Sequence, residues 1–248
     1  MVFNKKRAAE EKQLKAKIEL EQSRILAWLE EFLPEYNLAM TLPSVKISYD
    51  QRIKRFGHYA LDNIEQSRLI ALEKYDQGKI SAEELKQRQL ELAEKAKQIV
   101  IVEPMHAAYL ANNTIVYYIN NIQITATKKN YALDEFLARI VAHEMFHATH
   151  CFLCGTEHWT DNNCPREWNA TVKESLARYV EYVFSTEKNL TAQSRDIKLD
   201  LQDSHKCAPS YPYAGAKKLI LDKRNAFREI FTRSLENWQT AYKHLMKY

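Results

Sequence analysis

The segment from Ala142 to Cys154, AHEMFHATHCFLC, places three histidines, two cysteines and one glutamate within thirteen residues. His143, Glu144 and His147 stand in the order His-Glu-x-x-His. On an α-helix, residues four apart lie about 40° apart around the axis and one turn apart in height. His143 and His147 then share an edge, and their imidazoles can converge on one metal ion. Leu133, Phe136, Leu137, Ile140, Val141 and Ala148 form a broad apolar face on the same helix, and Glu144 falls in its middle. A carboxylate there is costly unless it has a partner. Water held by the metal would be such a partner. The set therefore reads as two neutral ligands and a general base that takes a proton from metal-acidified water. His150 lies on the same side, but a seven-residue offset puts it roughly 10 Å above His143 on an unbroken helix. It is expected to cap the helix end or to join the cysteines, and a third ligand must come from elsewhere.

The elements that position these residues are expected to be mainly helical. The chain has 248 residues, 46% of them apolar, which suffices for one large domain with an appendage, and only four glycines, which disfavours tight hairpins. The active-site helix is predicted from about Leu133 to His150. The next runs from Pro165, a favoured first helical position, to about Phe184. Residues 5–33 read as a long charged helix with a sparse stripe of Leu14, Ile18, Ile25, Leu29 and Phe32, stopped by Pro34. Residues 62–98 read as a helical hairpin broken at DQGK, with Ser81 and Glu84 spaced as a capping box. SVKISYD, QIVIVEP and NTIVYYIN have the β-branched and aromatic content of strands, and the last 35 residues, after YPYAG, read as helical. The division this suggests is a helical arm over 1–40, with its boundary near Pro34 to Pro43, and a domain over 41–248 carrying 62–98 as an insertion.

The net charge of +4 is mild and the two signs are interspersed, so nothing demands a nucleic-acid partner. The basic start MVFNKKRAAEEKQ has no apolar run behind it, and no stretch approaches the roughly 20 apolar residues that span a bilayer. A cytoplasmic protein without a membrane partner is expected. In that setting four cysteines read as thiols or metal ligands before they read as disulfides.

HEMFH followed by KESLARYVEYVF resembles the zincin metallopeptidases of the gluzincin type, and the likeness in order of elements covers about residues 45–184. The resemblance implies an α+β zincin-like fold with a small mixed sheet, zinc as cofactor, and a peptide or protein as substrate. It implies that a glutamate on the next major helix, often in a Glu-x-x-Ala setting, completes the metal site, and Glu174 with Ala177 matches that setting. It also implies an edge strand that holds an extended peptide beside the metal, a role that would fall to NNTIVYYIN. On its helix Glu174 lies between Ala170 and Ala177, opposite a stripe of Trp168, Val172, Leu176, Val180 and Val183, and small neighbours permit close approach. Glu181 is a substitute ligand.

A rival resemblance is to the SprT-like metallopeptidases, whose third ligand is a downstream histidine, here His158 in GTEHW. That likeness would imply a DNA-associated protease, but the single pair Cys151-x-x-Cys154 departs from the two-pair zinc ribbon those proteins often carry. Cys151, Cys154, Cys164 and Cys207 form a candidate second, structural zinc clasp, with His150 or His158 able to substitute. Tyr213 is the expected oxyanion donor, with Tyr211 and His205 as alternatives in the same segment. The competing class is a non-enzymatic zincin scaffold whose N-terminal helices bind a protein partner.

Overall fold

The structure, a computed structural model, describes residues 2–56, 58–99, 101–160, 166–202, 215–222 and 224–247. At its centre is α5 (Leu133–Cys154), whose side chains from Arg139 to Cys151 are all buried. A helix buried on every side needs partners all round. α1 (Val2–Phe32), α4 (Ile119–Lys129), α7 (Arg166–Glu187) and α10 (Arg224–Glu236) supply them, and α11 (Trp238–Lys247) packs behind α7 and α10. α8 (Thr191–Gln202) and α9 (Ala216–Asp222) lie against α7. α1 does not stand apart as an arm from residue 18 onward. Ile18, Ile25, Trp28, Leu29 and Phe32 enter the same apolar core as Phe136, Phe146 and Val180.

The sheet is small and mixed. β5 (Thr114–Tyr118) lies in the middle, with β1 (Ser44–Ser48) parallel on one side and β4 (Ala107–Leu110) antiparallel on the other. The architecture is thus α+β and mainly helical, as expected, but the edge strand is not. NTIVYYIN forms the central strand β5, and the edge facing α5 is β4. Central placement follows from its burial: Ile115, Val116, Tyr117 and Tyr118 are all buried, a near-continuous apolar run suited to a strand covered on both faces. The strand also stops at Tyr118. Ile119 begins α4, whose Ile119, Ile122 and Ala126 recur at helical spacing and are buried.

β2 (Ile53–Phe56) and β3 (Ile101–Pro104) pair antiparallel as a separate ribbon, from which α2 (His58–Asp76) and α3 (Ala82–Ile99) extend as the expected hairpin. Its second arm begins with the expected capping box: Ser81 N donates to Glu84 Oε2 at 2.8 Å, and Glu84 N donates to Ser81 Oγ at 3.2 Å. α5 runs one turn past the expected end at His150. Gly155, at φ 80°, is the first residue able to leave the helix cheaply, so Cys151 and Cys154 sit on the last helical turn and not in a loop. A short helix, α6 (Thr156–Trp159), follows at once.

Candidate metal centre

His143 and His147 occupy one edge of α5 facing α7 and are 7% and 5% exposed, so neither is a solvated surface histidine. Their Nε2 atoms lie 3.1 Å apart. Glu174 approaches from α7 and straddles the pair. Its Oε2 is 3.5 Å from His143 Nε2, and its Oε1 is 3.5 Å from His147 Nε2. The small residues around Glu174 permit this: Ser175 and Ala177 are fully buried where α7 packs on α5. An ion held tetrahedrally at about 2.0–2.1 Å by each donor would separate those donors by about 3.3–3.4 Å. The histidine nitrogens lie near that spacing, each 3.5 Å from a different Glu174 oxygen, and one donor atom from each residue lies within 4.8 Å of the others, so the three side chains converge and are types that bind divalent metals. His143, His147 and Glu174 could therefore hold a metal ion, and no second such group occurs among the described residues.

Each imidazole differs at its other nitrogen. His143 Nδ1 lies 3.2 Å from Glu181 Oε2, whereas the buried His147 Nδ1 has no hydrogen-bond partner among the described residues. Glu181 is itself 3% exposed and sits between two guanidinium groups. Arg139 Nε is 2.7 Å from one carboxylate oxygen, and Arg178 Nη1 donates to both at 2.9 Å. Burial alone would push the Glu181 carboxyl up, but Arg178 and Arg139 outweigh it and hold it well below the usual carboxylate range. Burial likewise works against charge on His143. Glu174 and Glu181 reverse this, and without a metal the imidazole is lifted to about 9.

Glu144 is 4% exposed, and its carboxylate is partnered by protein as well as by any water. The backbone N–H of Tyr109 in β4 donates to its Oε2 at 2.8 Å. Tyr118 N donates to His106 O, so His106, Ala108 and Leu110 turn their peptide groups toward β5, and those of Ala107 and Tyr109 face outward. The outward edge of β4 thus meets the glutamate of the His-Glu-x-x-His motif. Beside it stands an aromatic wall. Trp159 lies edge-on to His147 at 5.8 Å and to Tyr109 at 6.0 Å, and Lys173 Nζ sits 3.9 Å above its ring.

The other candidates lie elsewhere. His158 stacks on Trp238 at 5.0 Å, and its Nε2 lies 2.9 Å from Ser234 O, so it is not grouped with the histidine pair. His150 is fully buried among Trp159, Trp238 and Phe231, with Nε2 2.9 Å from Ser234 Oγ. It does not cap the helix, and among the described residues it forms no metal-ligating group with Cys151 or Cys154. Among the described residues Cys151 and Cys154 form no disulfide. Cys164, Cys207, His205, Tyr211 and Tyr213 lie outside the described residues. Tyr109, Arg139 and Arg178 escaped the reading of the sequence, and Glu181 entered it only as a substitute ligand. The arginines did leave a signal: Arg139 precedes His143 by one turn within the apolar run Phe136–Ala142, and Arg178 precedes Glu181 by three residues. Comparison of the chain with protein-family models, with curated proteins and with solved structures gives no match. No helix among the described residues is long and apolar enough to cross a membrane.

Proposed function

We propose that this protein is a zinc-dependent metallopeptidase of the zincin type, with His143, His147 and Glu174 as metal ligands and Glu144 as general base. The observation that carries the reading is the convergence of His143, His147 and Glu174, one donor atom from each within 4.8 Å of the others, beside the motif's buried glutamate. Two nitrogens and one carboxylate oxygen on three side chains form the donor set of many catalytic zinc sites, which leave a further position open. Bound there, zinc would supply the Lewis acidity that polarises a scissile carbonyl and acidifies water.

The protein's own groups supply the rest. Glu144 takes a proton from the attacking water and returns it to the leaving amine. The Tyr109 N–H fixes the orientation of that carboxylate, so its free lone pairs aim in one direction while the proton is held. With its N–H engaged by Glu144, Tyr109 leaves its outward C=O at the β4 edge as an acceptor for an extended substrate strand. The substrate class is accordingly peptide or unfolded protein.

The test is hydrolysis of an unfolded protein by zinc-loaded enzyme, with and without chelator, alongside Glu144→Gln. The variant keeps size and hydrogen bonding but has no proton acceptor, so activity should fall at least about 100-fold with zinc still bound. Activity that survives both chelator and Glu144→Gln would reject the proposal.

A further inference from the structure

We infer that Glu181 is a positioning residue for the metal centre, holding His143 in the one tautomer that can bind an ion through Nε2. The inference rests on the metal-site reading and goes beyond it to a residue that contacts neither metal nor substrate. A neutral imidazole carries its proton on one nitrogen only, and the other nitrogen carries the lone pair that a metal needs. His143 Nε2 faces His147 and Glu174, and Nδ1 faces Glu181 Oε2 at 3.2 Å. A carboxylate between two guanidinium groups is an acceptor only. The proton must therefore sit on Nδ1, donated to Glu181, and the lone pair must point into the donor triangle.

The clamp on Glu181 makes this a fixed geometry. Arg178 reaches both Glu181 oxygens through Nη1 at 2.9 Å and Asp200 of α8 through Nη2 at 2.9 Å. Arg139 approaches from α5 itself, one turn before His143. Three helices thus brace one carboxylate. The two cations already balance its charge, so the additional contact with His143 is not needed to bury it. That contact serves the imidazole. His147 has no matching partner among the described residues, so the centre is asymmetric, with one ligand oriented by a carboxylate and one oriented by packing against Trp159.

The experiment compares zinc uptake by the full chain and by Glu181→Gln, titrated against a competing chelator after metal removal, with nitrogen-15 imidazole resonances of the parent protein read in parallel. Partners of this kind typically contribute 10–100-fold to affinity, so the variant should still bind one zinc but about 10–100-fold more weakly. His143 of the zinc-loaded parent should show a proton on Nδ1 and metal on Nε2. The imidazole spectrum needs no variant, so it decides the matter even if Glu181→Gln fails to fold. An affinity within about threefold of the parent, against the usual 10–100-fold, would overturn the positioning role, as would metal on Nδ1. A parent chain that takes up no zinc at all would reject the metal-site reading itself, and this inference with it.

Discussion

Glu174→Ala separates the two possible sources of the third ligand. Structural zinc sites with four ligands bind with about 10–16 kcal/mol at neutral pH, so an average ligand contributes roughly 2.5–4 kcal/mol, or about 70–900-fold in affinity. The full loss is expected here because, among the described residues, no neighbouring group is placed to substitute. Glu181 is locked by Arg139, Arg178 and His143, Glu144 accepts the Tyr109 N–H, and His150 and His158 are both engaged at Ser234. Zinc affinity should be measured by competition with a chromophoric chelator at one fixed pH, for Glu174→Ala and for His158→Ala. Glu174→Ala should bind at least about 70-fold more weakly. His158→Ala should hold the metal as the parent does and lose only the stability of its stack on Trp238. If His158→Ala loses the metal and Glu174→Ala keeps it, the geometric argument for Glu174 is wrong.

Two further outcomes follow from the same structure. The metal-free protein should be most stable near pH 6.5. Charge on His143, whose imidazole is lifted from 6.5 to about 9, contributes stability that is lost as pH rises through that window. His150, buried and held well below 6.5, makes the fold lose stability as pH falls beneath 6.5, because only the unfolded chain gains the proton. Thermal unfolding in chelator across pH 5–9 should show that maximum, and a monotonic rise would contradict it. Leu29→Ala, at a fully buried position of α1, should cost about 3 kcal/mol and lower the midpoint by about 6–12 °C. A change under about 0.5 kcal/mol would restore α1 to the status of a loose arm.

The grouping of His143 with His147 was legible in the sequence because helical spacing is a strong local constraint. His147 follows His143 by four positions, and on any helix that is enough to bring two imidazoles together. The partner helix was legible for the same reason, since Val172, Leu176 and Val180 mark its buried side and leave Glu174 on another. What escaped was set by contacts distant in the chain. Nothing local to Tyr109 says that its N–H will meet Glu144, 35 residues away. Nothing local to His143 says that Glu181 will reach its far nitrogen. The sheet order escaped because a five-residue strand carries no label for centre or edge, and the edge β4, Ala-Ala-Tyr-Leu, lacks the β-branched residues that mark strands. α4 was hidden by its own composition. Ile119, Ile122, Ile124, Thr125 and Thr127 favour strands locally, and tertiary packing of Ile119, Ile122 and Ala126 overrides that preference.

The most direct test of the central claim is zinc X-ray absorption on the loaded full-length protein, combined with its metal-to-protein ratio. One zinc per chain is expected, bound only by nitrogen and oxygen at about 2.0–2.2 Å, with imidazole scattering from two histidines. No bound zinc, or a shell containing sulfur at about 2.3 Å, would contradict it and move the metal to the cysteines.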